Sequence, residues 1–199
     1  MNDGSADSVV RHKDRVREEL LERRRQLRDA ERERAADDLY VRLEACWRQL
    51  RSNRLAGYLA FDNEIDVSEF LQTRLRDGEF VALPRVRDDS RMEFVEIAAL
   101  DDVEVGAFGI LEPVGDATRI EVIDVFVVPG VGFDRSGNRI GMGWGYYDRA
   151  LQRRAACEAA SPTFIGVCYD FQLTDGAIPA EEHDVAMDFV VTQTEIVEM

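Results

Sequence analysis

The segment Pro129 to Arg149, PGVGFDRSGNRIGMGWGYYDR, concentrates the residues best able to do chemistry. Gly141, Gly143 and Gly145 stand at every second position, where the absence of a Cβ permits positive φ and lets a backbone approach a ligand closely. The N–H groups of such a loop, with the free N–H groups of a helix that follows it, aim donors at a phosphate. Arg139 enters the loop with a charge that can neutralise phosphate. Asp148 falls in the first turn of the following helix, where a carboxylate can hold Mg²⁺ against phosphates. The same spacing also describes a glycine-rich turn whose Asp148 only stabilises a helix start.

Other chemistries have little to work with. The two histidines, His12 and His183, leave multi-histidine metal sites and a Ser-His-Asp triad without material. Cys46, Cys157 and Cys168 form no CxxC pair and are odd in number, which fits a reducing compartment and argues against a disulfide framework. Cys46 on a helical apolar stripe and Cys168 in a strand-like run read as core residues.

The elements that must position the loop are legible from periodicity. The first eight residues read as loose. Residues 9–28 read as a helix with Val9, Val16, Leu20 and Leu27 on one stripe. A second helix is expected over 31–52, with Asp29 as N-cap and Ala35, Leu39, Leu43, Cys46, Trp47 and Leu50 at helical spacing. Strands are expected at 55–61, 80–84, 92–97, 122–128, 164–169 and 188–192, and helices at 66–76, ended by Gly78, and 145–154. Val122–Val128, VIDVFVV, is almost wholly apolar, as a strand buried on both faces should be. The alternation predicts one α/β domain over 1–199 with a mainly parallel sheet. Ligands in such sheets bind beyond the carboxyl ends of strands.

Composition narrows the partners. With 40 acidic and 25 basic residues in 199, the net charge is −15. A surface of that sign repels phosphate backbones, so broad nucleic-acid binding is not expected. The charge is uneven. Residues 1–54 carry 14 basic and 12 acidic groups, whereas 55–199 carry 11 and 28. Anion binding must therefore draw on the N-terminal segment or on a few placed arginines. Lys13 is the single lysine among 25 basic residues. Acidic excess without lysine suits a salt-rich cytoplasm, and an arginine-rich codon usage accounts for it equally well. No run of about 18 apolar residues and no apolar leader segment is present, which points to a cytoplasmic protein without a membrane partner.

The glycine segment resembles the signature of the 5-formyltetrahydrofolate cyclo-ligase (5,10-methenyltetrahydrofolate synthetase) family, P-G-x-x-F-D-x-x-G-x-R-x-G-x-G-x-G-[FY]-Y-D. The resemblance extends along nearly the whole chain. Lys13-Asp-Arg-Val-Arg17 looks like that family's N-terminal K-x-x-x-R. Phe61-Asp-Asn-Glu64-Ile-Asp looks like its substrate segment. Leu83-Pro84-Arg85 and Glu112-Pro113 match landmarks, and Glu181-Glu-His-Asp184 resembles a late acidic element.

The resemblance implies a Rossmann-like three-layer α/β/α fold with two N-terminal helices. It also implies ATP-dependent conversion of 5-formyltetrahydrofolate to 5,10-methenyltetrahydrofolate with Mg²⁺, by a monomer. The formyl oxygen, a poor leaving group, would be phosphorylated, N10 would attack the carbon, and phosphate would depart. Lys13 and Arg17 would contact ATP, with Arg139, Ile140, Gly141, Met142, Gly143, Trp144, Gly145, Tyr146 and Tyr147 around its phosphates. Arg139 and Tyr147 would be catalytic. Leu59, Glu64 and Phe108 would line the folate site with residues 142–146, Glu64 accepting from the pterin N–H donors. Asp148 and Asp184 would hold Mg²⁺.

Read without the resemblance, Lys13 and Arg17 also suit a solvated helix face, Glu64 a helix cap, Phe108 the core, and Asp184 a loop acid. Trp144 departs from the family pattern, at a position usually held by Gly or Lys. That keeps open a non-catalytic folate- or nucleotide-binding paralogue. An unrelated α/β enzyme such as a sugar-phosphate isomerase would need an acid/base pair and no ATP.

Overall fold

The computed structural model describes residues 3–106, 109–157, 161–181 and 184–199, with the backbone alone described for 3–10. Among the described residues there are four α-helices: α1 (Asp3–Arg25), α2 (Asp29–Trp47), α3 (Ser68–Arg76) and α4 (Tyr146–Ala155). The strands of the same residues are β1 (Arg54–Ala56), β2 (Phe80–Val86), β3 (Met92–Glu96), β4 (Val103–Val105), β5 (Leu111–Pro113), β6 (Ala117–Thr118), β7 (Val125–Pro129), β8 (Gly132–Asp134), β9 (Arg139–Ile140), β10 (Thr163–Val167), β11 (Leu173–Thr174), β12 (Phe189–Val191) and β13 (Ile196–Glu198).

Eight of these strands form one sheet in the order β13-β12-β10-β7-β1-β2-β3-β6. The central run from β12 to β2 is parallel, and antiparallel neighbours close both edges. β7 lies at the centre with all five residues buried. Strands buried on both faces carry continuous apolar runs because neither face meets water.

The alternate residues of β7 serve opposite faces. Val125 and Val127 pack with Leu39, Leu43 and Trp47 of α2 and with Phe70 and Leu71 of α3. Phe126 and Val128 pack with Ala150 and Leu151 of α4. Trp47 and Phe70 meet edge-on with centroids 5.9 Å apart. Each fully buried Leu of these clusters contributes roughly 1.5–3 kcal/mol by leaving water.

α1 docks elsewhere. Leu20 and Leu21 pack against Val131, Ile140 and Ile178, just past the carboxyl end of β7. The docking is close. A Cβ on Gly132 of β8 would lie 2.6 Å from a methyl carbon of Leu20.

The structure corrects several sequence expectations. α1 starts at Asp3, so residues 3–8 are helical; residues 1 and 2 lie outside the described residues. Arg28, not Asp29, is the N-cap of α2; its N–H donates to Glu31 Oε2 at 2.9 Å, a contact that needs the Glu31 carboxylate but only the backbone of the N-cap residue. α2 ends at Trp47, and residues 48–50 form a turn. The strand expected over 55–61 is only β1, and just past its end Gly57 still donates its N–H to Ala82 O of β2 at 2.9 Å. A Cβ on Gly57 would stand 2.4 Å from a Leu71 methyl. Ile120–Val122 forms a 3-10 turn before β7.

Candidate functional site

A cavity of about 400 Å³ opens where β1, β2 and β7 end, beneath α1. Its position agrees with the rule that parallel sheets bind ligands beyond their carboxyl edges. Tyr58 and Leu59 enter from the end of β1, Leu83 and Pro84 from β2, and Pro129 to Val131 from β7. Every residue expected to touch a ligand or a metal lines this one cavity, save Phe108, which lies outside the described residues.

The glycine loop connects β9 to α4. Gly145 is the N-cap of α4 with φ +67°, and Gly143 has φ +94°, both in the region that penalises a Cβ. Gly141 is not at positive φ; its requirement is space. A Cβ there would sit 3.0 Å from Arg139 Nη1. The loop thus leaves the N-terminus of α4 facing the cavity, with the orphan N–H groups of its first turn available to an anion.

Arg139 is buried beside that turn. Its Nη2 donates to Asp148 Oδ1 at 2.5 Å, and its guanidinium lies 5.6 Å from the centroid of the Tyr147 ring. Burial, and the nearby Glu64 charge, push the Tyr147 phenol far up, with Arg139 opposing. The phenol stays protonated at neutral pH and can donate but not act as a base.

α1 supplies the remaining cations. Arg17 Nε donates to Gly141 O at 2.8 Å, tying the helix to the glycine loop, and Arg17 also pairs with Asp14. Lys13 is buried, and its ammonium donates to Asp184 Oδ2 at 2.8 Å and Glu181 Oε2 at 3.0 Å. Burial works against the charged form, but the hydrogen bonds and charges of Asp184 and Glu181 prevail and raise the pKa. Neither Lys13 nor Arg17 is a solvated face.

Glu64 lines the same cavity, in a turn whose Asp62 and Asn63 take φ of +48° and +60°. Its Oε2 accepts from the Phe61 N–H at 3.2 Å. The N-cap of α3 is Val67, and the residue before it, Asp66, accepts from the Ser68 N–H through Oδ1 at 2.8 Å. Burial raises the Glu64 carboxyl to about 7; Asp62 adds to this, while Arg24, the Phe61 N–H and Arg139 pull it back. Trp144 is 47% exposed at the rim, its ring 6.0 Å from that of Tyr146.

Asp148 and Asp184 are each held by a cation, and among the described residues no three His, Cys, Asp or Glu side chains gather into a cage. Two hard oxygen donors lining one cavity are of the ligand type that Mg²⁺ takes, since it uses one or two carboxylates and completes its shell with water and phosphate. Sequence reasoning assigned no role to Glu181, Tyr58 or Arg24. Arg24 lies among three consecutive arginines, which form the basic last turn of α1. Its signal was the continuation of the stripe Lys13, Arg17, Leu20 at helical spacing.

A model of the 5-formyltetrahydrofolate cyclo-ligase family matches residues 9–193. A 5-formyltetrahydrofolate cyclo-ligase of Mycolicibacterium smegmatis is 34% identical over 190 residues, covering 92% of this chain and 94% of that protein. A mouse protein of the same name is 28% identical over 185 residues, covering 88% and 91%. The structure of Aquifex aeolicus 5,10-methenyltetrahydrofolate synthetase superposes with a TM-score of 0.80 at 30% identity, covering 94% of this chain and 92% of that one. The chain belongs to the 5-formyltetrahydrofolate cyclo-ligase family.

Proposed function

We propose that this member of the 5-formyltetrahydrofolate cyclo-ligase family converts 5-formyltetrahydrofolate and ATP to 5,10-methenyltetrahydrofolate, ADP and phosphate. One observation carries the reading: two cations of α1, the glycine loop at the start of α4, and a buried carboxylate all line one cavity. That arrangement suits a polyanion and a hydrogen-bonding heterocycle held side by side.

Lys13 and Arg17 bind the ATP phosphates from α1, and the loop from Ile140 to Tyr147 cradles them with backbone donors. Glu64 accepts from the pterin N–H donors, with Leu59 and the apolar faces of Met142, Trp144 and Tyr146 around the ring system. The formyl oxygen attacks the γ-phosphorus and ADP leaves. N10 then attacks the activated formyl carbon and the phosphate departs with the former formyl oxygen. Arg139 stabilises charge on the transferring phosphoryl group, and Tyr147 donates a hydrogen bond to it. Asp148 and Asp184 would hold Mg²⁺, which neutralises phosphate charge when bound. Positioning and electrostatics are the enzyme's main contributions.

The reading carries with it a single three-layer Rossmann-like domain and a cytoplasmic monomer with no nucleic-acid partner. Among the described residues no helix is long and apolar enough to cross a membrane. ATP-dependent appearance of the methenyl chromophore, with stoichiometric ADP, tests the proposal. Tight folate binding without ADP release would instead make the chain a binding paralogue, with Trp144 the first residue to replace.

A further inference from the structure

Arg24 is a charged side chain with almost no contact with water. It is 1% exposed, yet among the described residues its guanidinium makes a single hydrogen bond, from Nη2 to Asp62 Oδ2 at 3.1 Å. Its Nε and Nη1 are buried and have no hydrogen-bond partner among the described residues. Burying a cation this incompletely paired is costly, and a fold keeps such a group only where something else compensates. Nη1 lies 4.0 Å from Glu64 Oε1, too far for a hydrogen bond and well within Coulomb range.

We propose that Arg24 is a positioning residue for folate recognition, holding the 61–64 turn through Asp62 and keeping the Glu64 carboxylate charged so that it can accept from the pterin. The proposal rests on the reading that Glu64 binds the pterin. A carboxylate offers two acceptor oxygens, whereas a protonated carboxyl spends one position on its own O–H. Several groups contest the charge on Glu64. Asp62 on the same turn opposes it, Arg139 of β9 supports it, and the buried hydroxyls of Tyr58 and of Tyr147 of α4 couple to it. Tyr169 and Asp66 interact through the same group of residues. Arg24 leads the groups that favour ionisation.

The test is the pH profile of the folate KM in Arg24→Met, in Glu64→Gln and in the double variant. Arg24→Met is expected to move the midpoint of that profile upward by at least about one unit, and to raise KM at pH 7.5 about three- to thirtyfold. The ATP KM and saturating kcat should hold, Arg24→Lys should restore most of the profile, and Arg24→Met should add nothing in the Glu64→Gln background. If Arg24→Met does not fold, Asp62→Asn gives the opposite test: loss of the like charge shifts the midpoint downward. An unshifted profile, or an Arg24→Met effect that persists without Glu64, would reduce Arg24 to a structural tie. A Glu64→Gln variant with unchanged folate KM would instead overturn the pterin-binding role of Glu64 itself.

Discussion

Glu64→Gln is expected to make the protein more stable and less able to bind folate. The folded carboxyl titrates near 7 against 4.5 for the exposed group, because burial outweighs Arg24, the Phe61 N–H and Arg139. Between those values the folded state keeps a proton that the unfolded state has lost. Stability attributable to Glu64 therefore falls as pH rises from 4.5 to 7, then levels off. The difference of about 2.5 units corresponds to roughly 3 kcal/mol at pH 8. Glutamine carries no charge to bury, so it recovers up to that amount at pH 8 and almost nothing near pH 4.5. In a chain of this size, the melting temperature at pH 8 should rise by about 6–12 °C. Thermal unfolding of both proteins at pH 5 and pH 8 measures it. In the same variant the folate KM should rise about tenfold or more, because a charge-assisted acceptor is lost, while the ATP KM stays near wild type. A melting difference independent of pH, or a variant less stable at pH 8, would refute the reasoning. It would mean that the carboxylate is already satisfied in the fold and not held ready for a ligand.

Lys13→Met removes the ammonium that Glu181 and Asp184 share; it should raise the ATP KM about tenfold or more and lower the melting temperature, with folate affinity little changed. Lys13→Arg should also weaken ATP binding, since a planar fork replaces a compact ammonium between two carboxylates; ATP KM values within twofold of wild type for both variants would reject the role. Asp148→Asn should cut turnover strongly and steepen its dependence on Mg²⁺ while the fold is retained, and wild-type kinetics at limiting Mg²⁺ would count against the metal role. If the acidic surface belongs to a salt-rich setting, the melting temperature should climb from low to molar KCl as screening relaxes the 28 acidic groups of residues 55–199; a flat or falling curve would exclude it.

Much of this arrangement was written in local pattern. The run around β7 announced a doubly buried central strand, because a strand without a wet face needs no polar alternation. The glycine spacing announced a loop able to approach an anion, and Gly143 and Gly145 take the backbone conformations that only glycine adopts cheaply. The stripe of Ala35, Leu39, Leu43 and Cys46 announced how α2 would lie, since residues three and four apart share a face. Other features had no local cause. Gly57, just past β1, has no room for a Cβ because Leu71, from α3, fills the space beside it. Glu64 closes its own turn and caps no helix, which follows from the left-handed backbone at Asp62 and Asn63. The partners of Lys13 lie 168 and 171 residues away, and Arg24 meets Asp62 across 38. Helical periodicity places Lys13, Arg17 and Arg24 on one side of α1, but it cannot say whether that side meets water or carboxylates. That was decided when Leu20 seated against Gly132, because docking the helix there removes its cations from solvent and leaves the residues of the cavity as their partners.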